Sequence, residues 1–352
     1  MITDNRLYRQ DLEWVSDYLD FPDGARVLIT GATGLIGSFL MDAFIARRLS
    51  GGAALPLTGT SRHLENLQKR FGYAGGPDWL RFIERDAGIP IPDEEEYDFI
   101  IHLASNADPR SYALYPAETI ITNMTGTLNV LNYARRHPGC RVLFTSTFEV
   151  YGEIPDRSCL SEEDYGLIDY NQIRSGYPES KRTAELLVRS FVEEYGVDAV
   201  IARLSSIYGP TMTKGDNKAA AQFIRRAAAG QDIVLKSKGN QRRSYCYVAD
   251  ACAGILTALR RGKAGEAYNV CNPACEITIA ELAQIAAKAA GTRVVFDLPD
   301  ELEQKGFGKA KDSVLRADKL TALGYAPAYS AEKGITVSVS IIHDLEFAGP
   351  QS

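Results

Sequence analysis

Short apolar runs and longer amphipathic stretches alternate along the first two hundred residues. RVLIT (26–30), ALPLTGT (54–60), LRFIE (80–84), FIIHLA (99–104), RVLFTS (141–146) and AVIARLS (199–205) read as strands. Leu35, Ile36, Phe39, Leu40, Ala43 and Phe44 fall at helical spacing across 35–49, and 117–136 and 178–195 are of helix length. The strands are apolar almost throughout rather than alternating, as expected of strands covered on both faces. The pattern predicts an α/β fold, a doubly wound parallel sheet with helices on either side.

Past residue 205 this rhythm loosens. YGPTMTKGDN (208–217) is rich in turn formers, and KAAAQFIRRAAAG reads as a helix stopped at Gly230. Residues 1–24 predict a helical extension with Leu12, Val15 and Leu19 on its apolar side. The expected organisation is a dinucleotide-binding domain over 1–205, with a return segment at about 242–262. A smaller C-terminal substrate lobe would occupy 206–352. The acidic runs Glu94–Glu96 and Glu162–Asp164 read as solvated loops.

Composition narrows the functions. The net charge of −6 argues against a general nucleic-acid binder. No apolar run approaches the roughly 20 residues that span a bilayer, and MITDNRLYRQDLEW is too polar for a secretory signal, so no membrane partner and a cytoplasmic location are expected. Six scattered cysteines suit reduced thiols, and the four histidines have no metal-ligand spacing, so no metal is expected.

VLITGATGLIG places Gly31, Gly34 and Gly37 between a strand and a helix. Glycines there let a pyrophosphate approach the backbone, where the helix N-terminus offers free N–H groups. The expected fold is therefore Rossmann-type, with Thr33, Leu35 and Ile36 beside the glycines at the cofactor. The second strand ends in Thr60, Ser61 and Arg62, without the acid that commonly takes a ribose 2′-hydroxyl. Arg62 either pairs with a 2′-phosphate, stacks on adenine, or is a solvated arginine opening a helix. Asp86 either meets the adenine edge or shapes a turn.

Tyr177 and Lys181 form Y-x-x-x-K, which on a helix puts both side chains on one face. A nearby ammonium and a positive nicotinamide ring would favour the phenolate, making the tyrosine a base that removes a hydroxyl proton. Upstream, FTSTFEVYGE sets Thr147, Phe148 and Glu149 side by side where a strand ends.

With these motifs the chain resembles the extended short-chain dehydrogenase/reductases, in particular the NAD-dependent nucleotide-sugar epimerase/dehydratase family. The resemblance runs from about residue 26 to 340, through TGATGLIG, HLAS, NMTGTLNVLNYAR, STFEVYG, YPESK, IYGP, RRSYCYVAD and ADKLTALGY. It implies NAD, with NADP open, held additionally by Ala87, Leu103, Ala104 and Lys181. It implies that Tyr177 takes the proton of a sugar 4-hydroxyl, giving a 4-keto nucleotide sugar, with Thr147 bonded to the substrate oxygen and Arg243 on the diphosphate. Members commonly dimerise through two helices, here about 117–136 and 178–195.

HLASNADPRSYALYPAETIITN and RSGYPESKR look like UDP-glucuronate decarboxylases, and Glu149 matches their active-site glutamate. Arg174 either meets a substrate carboxylate or is a solvated loop arginine. In 4,6-dehydratases an aspartic acid follows the threonine, and here Phe148 has no proton to give. Ser206 stands where the family has a nucleotide-binding asparagine, KSKGNQ (236–241) replaces a glycine-rich stretch, and the arginine expected before ADKL has only Lys309 or Lys311 as substitutes. Decarboxylation and 4-epimerisation lead. An NADPH-dependent nucleotide-sugar reductase and a non-catalytic dinucleotide sensor are the alternatives.

Overall fold

A computed structural model describes residues 1–107, 109–155, 159–298 and 312–348. The first strands are β1 (Val27–Thr30), β2 (Leu57–Ser61), β3 (Leu80–Glu84), β4 (Phe99–His102) and β5 (Arg141–Thr147). The two-residue β6 (Cys159–Leu160) stands apart, and β7 (Asp198–Leu204) rejoins the sheet. The short strands β8 (Ser206–Tyr208), β9 (Ile233–Leu235) and β10 (Arg242–Tyr247) then leave it, and β11 (Ala267–Val270) returns beside β7. The seven-stranded sheet is parallel, in the order β11-β7-β5-β4-β1-β2-β3.

Strand residues alternate between two cores, as their period of two requires. Val27, Ile29, Ile101, Leu143 and Val200 enter one; Leu28, Ile100, Val142, Phe144 and Ile201 enter the other. The helices α1 (Arg6–Ser16) and α2 (Leu35–Leu49) cover the first face, and α3 (Leu64–Phe71) links β2 to β3. The short α4 (Pro109–Leu114) leads into α5 (Pro116–Arg136), which packs with α6 (Gly176–Tyr195) on the second face. α7 (Ala219–Ala228) belongs to the lobe, whereas α8 (Val248–Arg261) lies with α2 on the first face. A small sheet joins β8, β10 and β12 (Glu276–Thr278), and α9 (Ile279–Ala290) follows with a capping box from Thr278 and Glu281.

The structure adjusts several expectations. The strand expected over 99–104 stops at His102, because the Leu103 and Ala104 amides donate to Thr30 Oγ1, at 3.1 and 3.2 Å, and leave the ladder. Ala267–Val270 lie in the large sheet, so the return to the first domain runs past the expected residue 262. The acidic runs are not simply solvated. Glu95 accepts from Arg85 Nη2 at 2.6 Å, and Glu162 Oε1 accepts from the Asn269 amide at 2.8 Å.

The N-terminal helix is capped by Asn5, whose side chain accepts from the Leu7 and Tyr8 amides. Its buried face joins two halves of the molecule. Tyr8 donates to Asp42 on α2 at 2.6 Å, while Asp11 accepts from the hydroxyls of Tyr247, at the end of β10, and Tyr329.

Candidate active site

The sheet order reverses at β1, with β2 on one side and β4 on the other. In open parallel sheets a ligand crevice opens there, beyond the carboxyl ends of the strands. A cleft of about 810 Å³ occupies that place and reaches into the lobe.

The glycine turn forms the floor of one end. Gly31 has φ +68°, and a Cβ on it would lie 2.9 Å from the Ala104 amide nitrogen. A Cβ on Gly37 would lie 2.3 Å from the Gly31 carbonyl oxygen. Gly34 is the N-cap of α2 and supplies no side chain to it, so the first amides stay open to a ligand. Thr33, Leu35 and Ile36 line the same end. A pyrophosphate fits this cradle, since any side chain at Gly31 or Gly37 would displace backbone.

Ser61 and Arg62 lie at the end of β2, with Thr33 Oγ1 3.3 Å from Ser61 Oγ. Arg62 stands 3.7 Å from Glu118 Oε1, both side chains more than half exposed. Asp86 lines the cleft and also shapes a turn, accepting from the Gly88 amide at 2.8 Å. Ala87, Leu103 and Ala104 complete this end.

At the centre, Thr147 closes β5 and caps the 3₁₀ turn Phe148–Tyr151, accepting from the Glu149 amide at 3.3 Å. Tyr177 and Lys181 sit one turn apart on α6, both buried. Lys181 Nζ donates to the Thr145 carbonyl at 2.9 Å and lies 4.8 Å over the Phe144 ring. Burial brings the Lys181 ammonium down to about 7, with Glu185 opposing. His102, buried and near that ammonium, is held down to about 3 and is neutral. Burial pushes the Tyr177 phenol well up, Glu149 adds to this, and a hydrogen bond with Thr147 opposes it. Burial dominates at this phenol, so its proton is held more tightly than that of a free tyrosine. Burial disfavours the Lys181 ammonium, which donates to a strand carbonyl.

Burial also raises the Glu149 carboxyl, against the charges of Arg174, Arg243 and Lys218. Arg174 Nη2 stands 3.4 Å from Glu149 Oε2, with the arginine side chain 68% exposed. Arg243 lies on β10, its Nε buried and without a hydrogen-bond partner among the described residues. Ser206 opens β8 on the same wall. Phe148 lines the cleft and packs against the cluster of Tyr151, Leu160 and Leu315. The candidate catalytic, cofactor and substrate residues thus border one cleft, whereas Thr60 and KSKGNQ (236–241) do not line it and Lys309 and Lys311 lie outside the described residues.

Sequence reasoning missed Lys218 and Tyr112. Lys218 is the N-cap residue of α7, and no local signal in TKGDNK points to it. Also missed was the chain of hydrogen bonds from Ser105 to Asn123, on to Ser180 and to the Tyr177 carbonyl, at 2.7, 2.9 and 2.8 Å. Among the described residues no helix is long and apolar enough to cross a membrane.

The model of the NAD dependent epimerase/dehydratase family matches residues 27–271. A UDP-glucuronic acid decarboxylase of Arabidopsis thaliana is 32% identical over 321 residues, covering 90% of this chain and 88% of its own. One from Xenopus tropicalis is 31% identical over 326 residues, covering 92% of this chain and 73% of its own. Among solved structures, a Thermus thermophilus UDP-glucose 4-epimerase complexed with NAD superposes with TM-score 0.71 at 25% identity, over 90% of this chain and 98% of that one. A Bacillus cereus UDP-glucuronic acid 4-epimerase mutant shares the fold, with TM-score 0.76 at 21% identity over 91% and 99% of the two chains. The chain belongs to the NAD dependent epimerase/dehydratase family and is an NAD-dependent enzyme that modifies nucleotide sugars.

Proposed function

We propose that the enzyme oxidises C4 of a UDP-hexuronate and decarboxylates the resulting 4-keto sugar. The observation that carries this is the meeting of Tyr177, Thr147 and Glu149 at the end of β5, with Arg174, Lys218 and Arg243 around the one carboxylate. A diphosphate needs cations, and a sugar carboxylate needs another. The curated relatives named as decarboxylases extend over nine-tenths of the chain.

In this reading Gly31, Gly34, Gly37, Ser61, Arg62 and Asp86 hold the dinucleotide, and Lys181 holds its nicotinamide ribose. NAD, when bound, supplies the hydride acceptor. Tyr177 removes the 4-hydroxyl proton, and Thr147 keeps the oxygen in line with it. The 4-ketone lies β to the carboxylate. When carbon dioxide leaves, the electron pair of the broken carbon–carbon bond passes into an enolate on the C4 oxygen. Hydrogen bonds from Tyr177 and Thr147 stabilise that oxygen; a proton then takes the place of the carboxylate at C5, and the hydride returns to C4 as Tyr177 gives its proton back to the oxygen, leaving a UDP-pentose. Arg174 fixes the carboxylate before it leaves, Arg243 and Lys218 hold the diphosphate, and Ser206 contacts the nucleotide.

The protein acts as a homodimer through α5 and α6, where Ile121, Leu128 and Leu186 present exposed apolar side chains. It works in the cytoplasm, where its cysteines remain thiols.

Incubation with UDP-glucuronate, UDP-glucose and the corresponding GDP-, CDP- and dTDP-sugars, read by mass spectrometry and NMR, tests this. Carbon dioxide and a UDP-pentose are expected from UDP-glucuronate. An unchanged mass with inverted C4 would make it an epimerase. A product lighter by one water would make it a dehydratase despite Phe148. Tyr177→Phe should slow turnover ~100- to 10,000-fold while still binding NAD.

A further inference from the structure

Tyr112, on α4, lies flat against Tyr177, with ring centroids 4.6 Å apart and planes 17° from parallel. Both rings are buried, at 4% and 6% exposure. Such a pair is an offset stack, an arrangement that contributes beyond simple burial. A helix of six residues has little stability of its own. α4 is held by packing on α5 and on the turn Ile173–Ser175, which carries Arg174 and runs directly into α6. Tyr112 also lines the cleft beside Tyr177, so its ring covers one face of that phenol.

We propose that Tyr112 is a positioning residue for the base, its ring fixing the plane of the Tyr177 phenol and keeping water from that face. The proposal rests on Tyr177 being the base. The terminal torsion of a tyrosine is broad and two-fold, so the backbone of α6 does not by itself aim the hydroxyl. Gly176, immediately before, has no side chain to buttress it; the space a Cβ would take is filled by Ile120, 2.9 Å away. The Tyr112 ring supplies the missing wall. The charged group acting on the phenol is Glu149 on the turn after β5, itself paired with Arg174, while Lys181 lies one turn along α6. Water admitted beside the ring would solvate the phenolate, so opening the wall makes the phenol easier to ionise and less well aimed.

Protein labelled with 3-fluorotyrosine gives a fluorine NMR resonance for Tyr177, assigned by its loss in Tyr177→Phe. In Tyr112→Ala that resonance should move, and its titration midpoint should fall by about one pH unit, a tenfold change in the ionisation constant. The kcat for UDP-glucuronate should fall ~10- to 100-fold with KM little changed. Tyr112→Phe keeps the ring and should restore all three readouts. A Tyr112→Ala protein whose Tyr177 resonance and titration match the parent would overturn the proposal. So would a Tyr112→Phe protein as impaired as Tyr112→Ala, since the hydroxyl rather than the ring would then be at work. If Tyr177→Phe stays active, the assignment of the base fails instead, and the fluorine titration still decides whether the stack shields the phenol.

Discussion

Glu149 faces Tyr177 across the end of β5, and its negative charge works against formation of the phenolate. Burial raises that carboxyl, and the charges of Arg174, Arg243 and Lys218 work the other way. The Tyr177 phenol and the neighbouring carboxyl are therefore opposed.

Replacing Glu149 with Gln removes the opposing charge. The Tyr177 phenol then ionises at lower pH than in the parent, so the acid limb of log(kcat/KM) against pH moves to lower pH, whatever happens to the plateau. A limb that stays in place or moves up would show that Glu149 does not act on Tyr177.

Gly37→Ala pushes a methyl into the Gly31 carbonyl and the Ala32 Cα, at 2.3 and 2.9 Å. Both are backbone atoms of the phosphate turn and cannot rotate aside. We expect a loss of ~1–3 kcal/mol in stability, seen as a lowered Tm, and NAD binding weakened ~10-fold or more, or about 1.4 kcal/mol. Calorimetry and titration of cofactor-free protein measure the two separately.

The end of β2 carries no acid to reject a 2′-phosphate, and Arg62 is tied only loosely to Glu118, 3.7 Å away in solvent. NAD should therefore be preferred over NADP by less than ~100-fold, near 2.7 kcal/mol. Glu118→Gln, which frees Arg62, should narrow the gap further. A larger preference in fluorescence titrations would reveal a ribose ligand elsewhere in the cleft.

Burial lifts the Asp11 carboxyl from 3.8 to about 6, against the hydroxyls of Tyr247 and Tyr329. The folded state then binds this proton more tightly than the unfolded chain, so the group lowers stability as pH rises from about 4 to 6. The Tm difference between parent and Asp11→Asn should change across that window and level off above it. A difference independent of pH would place the titration elsewhere.

Local chemistry made half of the site legible. Gly31, Gly34 and Gly37 announce their turn because it is built from seven consecutive residues. Tyr177 and Lys181 announce their shared face because one helix turn separates them. What joins distant segments was silent. Nothing in TKGDNK says that Lys218 will face Glu149, and nothing in RSYALYP says that Tyr112 will lie on Tyr177. β11 escaped because four residues, AYNV, carry too little periodicity to be separated from a loop. The end of β4 is illegible for a different reason. Apolar character continues through Ala104, but a threonine hydroxyl from β1 takes the amides away.

The N-terminal helix contributes no side chain to the cleft, yet it is bolted to both of its walls. Tyr8 fastens it to the helix that begins at the phosphate turn, and Asp11 fastens it to the strand that carries Arg243. The two walls are thus spanned from outside, by a helix lying ahead of residues 27–271 that the family model matches.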